Sequence, residues 1–462
     1  MTNLTAGDLT LYLAGLKHLA AGRAMEAVES IAQVARENPG HPGARRNLIR
    51  ARLSAGQHAV VLAATTAALT EAPDDAELHF LQGTALNAQA RPAEARDALT
   101  RAIALNPTFA PAWLNRGNAN ADLDAMADAE RDCRAALARD PGLTEARASL
   151  GFVLTAMGRL PEAIAVLEQA QDDTQAHWNL ATAALLAGDL PRGFAEYEWR
   201  KRHDRFRRDF IDLAGPVWDG SGPSGRTILI HAEQGLGDTI QFARYLPLIA
   251  ARGCMPILAC EPGLVPLFAA MPGVVAVSKF APLPDYDAWI DQMSLPRVFG
   301  TTIETIPSPD RYLTANASGS GPGIGLAWKG NPLHGNDRRR TPPPEAFQPL
   351  LDDRFVSLIP DRTLPGLALP GRRLRTFADT AAVIAGLDLV IAVDTAAAHL
   401  AAALGKPTWI LLPHAPDWRW MLDRTDSPWY RSARLFRQPT PGDWRSVMAA
   451  VKDALAGRTI SG

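Results

Sequence analysis

The chain is 462 residues long, has a formal net charge of −2 and is 47% hydrophobic. That length exceeds one ordinary domain, and the composition excludes overall disorder. The near-zero charge gives no global basis for holding nucleic acid or an acidic membrane. Three scattered cysteines, Cys133, Cys254 and Cys260, fit neither a disulfide framework nor a zinc site and suit a reducing compartment. No signal-peptide pattern is legible. The best apolar stretch, residues 381–393, is too short to span a bilayer and includes Asp388. The expectation is a cytoplasmic protein without a membrane span.

The first half is periodic. Pro39, Pro73, Pro107 and Pro141 recur every 34 residues. Gly22, Gly56 and Gly158 keep the same frame, with Ala90 and Asp124 in the places between. Gly15, Gly83, Gly117 and Gly151 form a third column, broken by Ile49, and Ala27, Ala95, Ala129 and Ala163 a fourth, broken by Val61. Small residues let one helix approach the next closely, and a proline ends each unit. The pattern resembles the tetratricopeptide repeat, most strongly over residues 76–109 and 110–143. After Ala170 the spacing shortens, and residues 176–199 read as an atypical last pair that caps the stack. The resemblance implies an all-α solenoid over residues 1–200, of five to six helix pairs, with a groove for an extended segment of another protein. Dimerisation, or bracing of the second half, is the other use of such an array. Asn47, His79, Trp113, Asn115 and Asn118 are candidates for the groove.

Residues 201–224 read as a basic linker rich in glycine, serine and proline. The basic run over residues 200–208 reads first as a solvated helix end, with contact to a phosphate or to the second half as the alternative. Apolar runs at 227–232, 255–260, 274–277 and 288–293 predict strands of one lobe, residues 225–315, with a helix over 237–252. A Gly/Ser-rich break at 316–323 precedes further strands at 324–328, 355–359, 389–393 and 408–412. Helices are predicted there at 344–351, 379–387 and 396–404, in a second lobe over residues 316–462. This alternation predicts parallel, doubly wound sheets in two lobes facing across a cleft.

Two segments concentrate polar chemistry. The first, H-A-E-Q-G-L-G-D-T-I, runs from His231 through Glu233, Gln234, Gly235, Gly237 and Asp238. It is no dinucleotide fingerprint, because Ile240 stands at the third glycine position, and no Walker A loop. Asp238 reads equally as a helix cap and as a catalytic carboxylate. The second, residues 389–413, is a buried strand, a break at Asp394, an alanine-rich helix, Gly405 and another buried strand. Asp394, Thr395 and the first N–H groups of that helix lie at a strand's carboxyl end, where α/β sheets bind ligands and a helix start favours an anion. His399 follows one turn later on the same face.

Together with residues 330–340 and 420–438, these segments resemble glycosyltransferase family 9, the heptosyltransferase family. More closely, the chain resembles bacterial proteins in which tetratricopeptide repeats precede such a domain, the family likeness covering about residues 226–450. The resemblance implies an α/β domain of two Rossmann-like lobes of the GT-B kind. It implies a nucleotide-diphosphate sugar as donor substrate, with no cofactor and no metal. Asp238 corresponds to the proposed general base of an inverting transfer. Asp394, Thr395, Ala396 and His399 correspond to the donor-holding segment, and Lys329, Arg339 and Arg340 to its basic neighbours. Glu233, Gln234, Gly235 and Gly237 form the loop before the base. Ala396 stands where many relatives have glycine. The first lobe is short for its kind, so its acceptor pocket is expected to be open or completed by the last repeat. The acceptor is expected to be a protein or peptide held in the repeat groove, with flagellin-modifying, repeat-bearing transferases as an analogy only. A saccharide or lipid-linked acceptor, and a non-catalytic scaffold with a degenerate sugar-binding domain, are the alternatives. Trp409, Trp418, Trp420, Trp429 and Trp444 crowd the C-terminal segment, either to stack on a base or to pack that segment across the lobes.

Overall fold

The computed structural model describes residues 4–170, 172–318, 323–332 and 335–457. Residues 319–322 of the expected inter-lobe break, and Leu333 and His334 of the basic loop, lie outside the described residues. The chain divides into two compact units, Met1–Asn179 and Leu180–Gly462.

The first unit consists of helical hairpins. They pair α1 (Ala6–Ala20) with α2 (Ala24–Glu37), α3 (Pro42–Ser54) with α4 (His58–Glu71), and α5 (Ala76–Ala88) with α6 (Pro92–Leu105). Next come α7 (Ala110–Asp122) with α8 (Met126–Arg139), and α9 (Thr144–Ala156) with α10 (Leu160–Leu167). The division between units falls inside α11 (Thr174–Leu186), and α12 (Leu190–Glu196) belongs to the second unit.

The sequence columns have distinct physical causes. The turn inside each hairpin needs one residue at positive φ, supplied by Gly22 (72°), Gly56 (71°) and Gly158 (74°). Ala90 (55°) and Asp124 (61°) adopt the same conformation without being glycine. The Gly83 column is set by space: a Cβ there would come within 2.5 Å of Leu99, and one on Gly117 within 3.0 Å of the Cys133 sulfur. Ile49 is accommodated differently. It packs with Val61 in one buried cluster, and the position in α4 that matches Leu99 is the smaller, fully buried Thr65.

Two of the candidate groove residues close repeats. The His79 Nε2 lies 2.9 Å from the Pro73 carbonyl, and the Trp113 indole N–H donates to the Pro107 carbonyl at 2.9 Å. Arg147, at the equivalent place, donates to the Pro141 carbonyl. Asn115 donates to Thr84 at 2.8 Å while its carbonyl accepts from Asn87 at 2.9 Å, tying α7 to α5. Asn47 donates to the Tyr12 hydroxyl.

The second unit holds two parallel sheets. Its first lobe comprises β1 (Thr227–His231), α13 (Leu236–Phe242), α14 (Leu246–Ala251), β2 (Met255–Cys260) and α15 (Val265–Phe268). It continues with β3 (Val275–Ser278), β4 (Ala288–Asp291) and α16 (Leu295–Val298), and its strand order is β3-β2-β1-β4. The second lobe comprises β5 (Ile324–Ala327), α17 (Asp337–Arg340), β6 (Phe355–Ser357), α18 (Phe377–Ala385) and β7 (Leu389–Val393). It continues with α19 (Ala396–Ala403), β8 (Thr408–Leu412), β9 (Ala433–Arg437) and α20 (Trp444–Ala456), in the order β6-β5-β7-β8-β9. All these strand pairs are parallel. Among the described residues, no helix is long and apolar enough to cross a membrane.

Local chemistry departs from the sequence pattern in three places. The single helix predicted over 237–252 is broken by the 3-10 turn Ala243–Tyr245, and Pro247 stands in the first turn of α14. Residues Pro344–Leu350, predicted as a helix, wind as a 3-10 segment with Pro349 inside. The basic run is not simply a solvated helix end. Arg200 is fully buried in the 3-10 turn Tyr197–Arg202, whereas the Arg207 side chain is 85% exposed. The glycine-rich connector that follows lies along β4, with the Trp218 N–H donating to the Trp289 carbonyl at 2.7 Å.

Ala90→Gly should relieve a positive-φ alanine. A gain of about 1 kcal/mol in the stability of the repeat array is expected, read as a higher urea midpoint at unchanged slope.

Candidate functional site

In an open parallel sheet the ligand crevice lies outside the carboxyl ends of the strands, where strand order reverses. That point falls between β1 and β4 in the first lobe and between β5 and β7 in the second. Both edges line one cavity of about 890 Å³. The first lobe contributes Gln234, Gly235, Gly237, Asp238 and Glu261. The second contributes Lys329 after β5, Arg340 on α17, and Asp394, Thr395, Ala396 and His399 after β7. Asp417 and Arg419, beyond β8, complete the wall.

The loop after β1 is held from behind. Gln234 takes a positive φ of 63°, and its carboxamide oxygen accepts from the Tyr197 hydroxyl at 2.9 Å. Glu233 does not reach the cavity lining. It is buried, and its Oε1 accepts from Arg200 at 2.7 Å and from the Met293 N–H at 2.9 Å. Burial raises the Glu233 carboxyl above the usual range against the pull of Arg200, and the Asp291 charge adds to the rise. Arg200 also donates to Ser294 at 2.9 Å and Glu198 at 2.9 Å. The segment following α12 is therefore part of the first lobe's framework.

Asp238 stands at the third position of α13 and accepts the Gly235 N–H at 2.8 Å, as a capping carboxylate does. Its other oxygen accepts from Arg419 of the opposite lobe. Cap and cavity wall are thus one side chain. Gly237 lies against α19: a Cβ there would be 3.0 Å from the His399 ring and 3.5 Å from the Ala396 Cα.

Across the cavity, Thr395 is the N-cap residue of α19 but does not cap it. Its hydroxyl donates back to the Val393 carbonyl at 3.2 Å, leaving the helix start without a side-chain cap. Arg340 donates to the Asp394 carbonyl at 2.9 Å and pairs with Asp337 at 3.2 Å. Burial first, and the Asp417 charge second, push the Asp394 carboxyl up to about 6 despite Arg340 and Arg419. His399 is buried, with Nδ1 2.9 Å from the Tyr430 hydroxyl and its ring stacked on Trp420. Burial, together with the Arg419, Arg244 and Arg340 charges, holds its pKa well below the ordinary value, so the imidazole is neutral near pH 7.

The crowded tryptophans pack. Trp418 and Trp429 sit edge-on to Phe194 of α12, with ring centres 5.7 and 6.5 Å away, and Trp429 also meets Phe242 of α13 at 5.8 Å. Trp409 and Trp444 belong to the core of the second lobe. Arg244 is buried beside them, donating to the Trp429 carbonyl at 2.5 Å and lying 4.5 Å from the Tyr430 ring centre.

Of the residues singled out from sequence, ten gather on the cavity wall: Gln234, Gly235, Gly237, Asp238, Lys329, Arg340, Asp394, Thr395, Ala396 and His399. Glu233 lies behind the loop, and Arg339 is on α17 but not on the lining. Sequence reasoning passed over Asp417, Arg419 and Arg244. The W-R-W triplet at 418–420 was the available signal, an arginine between two aromatic residues after a buried strand.

The tetratricopeptide repeat family matches residues 12–76, 61–108, 80–144 and 121–188. Glycosyltransferase family 9 (heptosyltransferase) matches residues 373–429, which hold α18, β7, α19, β8 and the Arg419 turn. The chain carries tetratricopeptide repeats and a glycosyltransferase family 9 domain near its C-terminus. The family 9 match does not reach Asp238. Protein FlbA of Caulobacter vibrioides is 27% identical over 438 residues, covering 83% of this chain and 73% of that protein. Among solved structures, a thermophilic tetratricopeptide repeat protein of Thermus thermophilus matches 38% of this chain and 99% of its own, at 26% identity and a TM-score of 0.36. A tetratricopeptide repeat protein of Parabacteroides merdae matches 43% and 80%, at 18% identity and a TM-score of 0.35.

Two outcomes are expected of this geometry. Asp394 is charged above pH 6 and repels an anion at α19, and protonation below that value removes the repulsion. Sulfate, a dianion throughout, should therefore bind about tenfold more tightly at pH 5 than at pH 7.5 by calorimetry, and Asp394→Asn should flatten that dependence. Arg200→Ala leaves Glu233 buried without its cation and should cost about 3–5 kcal/mol in denaturant unfolding of the second unit.

Proposed function

We propose that the protein transfers a sugar from a nucleotide-diphosphate sugar to an acceptor hydroxyl, presented by a protein or peptide that the repeats bind. The observation that carries this reading is the cavity itself. A carboxylate at one sheet's switch point faces an uncapped helix start, flanked by arginine and lysine, at the other's. The family 9 match over the part of the cavity wall from Leu374 to Arg419 supports the reaction class, and the repeats support a protein-binding role.

In this reading the diphosphate lies at the start of α19, with Arg340 and Lys329 beside it in a two-lobed cleft of the GT-B kind. Asp238 takes the proton from the acceptor hydroxyl. The oxygen attacks the anomeric carbon from the face opposite the phosphate, a C–O bond forms, and the anomeric C–O bond to the diphosphate breaks. The nucleoside diphosphate leaves with that electron pair, and the configuration inverts. The α19 N–H groups and the cations take up the developing charge without a metal. Neutral His399 can donate to or accept from a sugar hydroxyl without adding charge.

A panel of nucleotide sugars and nucleoside diphosphates, read by thermal shift and calorimetry, should identify a donor. Silence across the panel would defeat the enzyme reading and leave a scaffold. Asp238→Asn is expected to lower kcat about a thousandfold while donor affinity stays within a few-fold; full activity in that variant would remove Asp238 from the chemistry. Deleting residues 1–170 separates the acceptor classes. Loss of transfer to a protein acceptor, with transfer to a free sugar retained, supports docking by the repeats. Unchanged transfer to both favours a saccharide or lipid-linked acceptor.

A further inference from the structure

Arg419 is the second lobe's direct hold on Asp238. It sits on the 3-10 turn Trp418–Trp420 with 8% of its side chain exposed. Its own segment orients it: Nη1 donates to Asp417 at 2.8 Å, and the guanidinium lies 4.3 Å from the Trp418 ring centre. The remaining nitrogens cross to α13, where Nε donates to the Gln241 side chain at 2.5 Å and Nη2 to Asp238 Oδ1. Burial opposes the charge, but Asp417 and Asp238 outweigh it and hold the guanidinium protonated. The Asp238 carboxylate is therefore fixed at both ends, Oδ2 by its own loop's Gly235 N–H and Oδ1 by a cation preset in the other lobe.

We propose that Arg419 is a positioning residue for the transfer step, acting through Asp238. It gives the carboxylate one orientation, and only when the two lobes are together. The acceptor hydroxyl then meets an Oδ1 lone pair at a set direction relative to the donor held at α19. The inference rests on Asp238 being the base under the proposed function. A guanidinium fork suits this task because its planar donors fix direction as well as charge, which a lysine ammonium does not.

The test uses the full chain with Arg419→Gln, Arg419→Lys, Asp238→Asn and the double variant Asp238→Asn/Arg419→Gln. Affinity for ADP, UDP, GDP and CDP is measured by calorimetry, and turnover with the nucleotide sugar of whichever base binds. Arg419→Gln is expected to lower kcat on the order of 100-fold, with the nucleoside diphosphate Kd within about threefold. Arg419→Lys should recover only part of the loss. Added guanidinium should partly rescue Arg419→Gln and leave wild type unchanged. The double variant should be no slower than Asp238→Asn alone, because the arginine acts only through that carboxylate. Unchanged kcat in Arg419→Gln, or losses that multiply in the double variant, would overturn the proposal. A Kd weakened in step with kcat would overturn it too and make Arg419 a donor ligand instead. If Arg419→Gln does not fold, the lysine variant carries the same comparisons. A wild type that binds none of the nucleotides defeats the functional reading itself, an outcome distinct from an active wild type indifferent to Arg419.

Discussion

Buried arginines join the carboxyl edges of the two parallel sheets, and the cavity lies between those edges. Arg419 reaches from the second lobe to Asp238 and Gln241, and Arg244 reaches from the first to the Trp429 carbonyl. Arg244 rests on carbonyls and on the rings of Tyr312, Trp429 and Tyr430. A desolvated cation over an aromatic face contributes about 2 kcal/mol, so the aromatic junction of Phe194, Phe242, Trp418 and Trp429 both fills the seam and holds charge in it.

This arrangement sets the electrostatics of the cavity. Among the described residues, four acidic side chains on its lining, Asp238, Glu261, Asp394 and Asp417, stand against Lys329, Arg340, Arg375 and Arg419. The balance is close, yet the charges are segregated. Asp238 and Asp417 are held by Arg419, and Glu261 by Lys279 at 2.7 Å, while Asp394 sits raised toward neutrality at the start of α19. An arriving anion thus meets one carboxyl that is ready to take up a proton, and a histidine that stays neutral.

The parts of the fold legible in sequence were those with one local cause. β2, β7 and β8 have the bounds their apolar runs predict, because strands covered on both faces must be continuously apolar. The repeat columns were legible because each turn and each close approach recurs. β9 was not, since Arg434 and Arg437 interrupt its apolar run at the sheet's edge. Within the site, the residues on loops after strands could be picked out, but their partners could not. Arg419 meets Asp238 from 181 positions away, and Arg200 meets Glu233 from 33. A basic run that looks solvated acquires its role from such a distant contact, whereas His79 and Trp113, which look like groove residues, are held by carbonyls only six positions before them.

Gly237 stands in the first turn of α13, and its φ is not positive, so neither a turn nor a left-handed backbone calls for glycine there. Its place follows from clearance, because a single methyl there would press on the His399 ring, 3.0 Å away, while meeting Ala396 at ordinary contact distance. The same glycine lines the cavity, as do the His399 and Ala396 it approaches. The missing carbon at position 237 thus sets how near the loop after β1 can come to the start of α19, and any larger residue there would act as a spacer between the two walls.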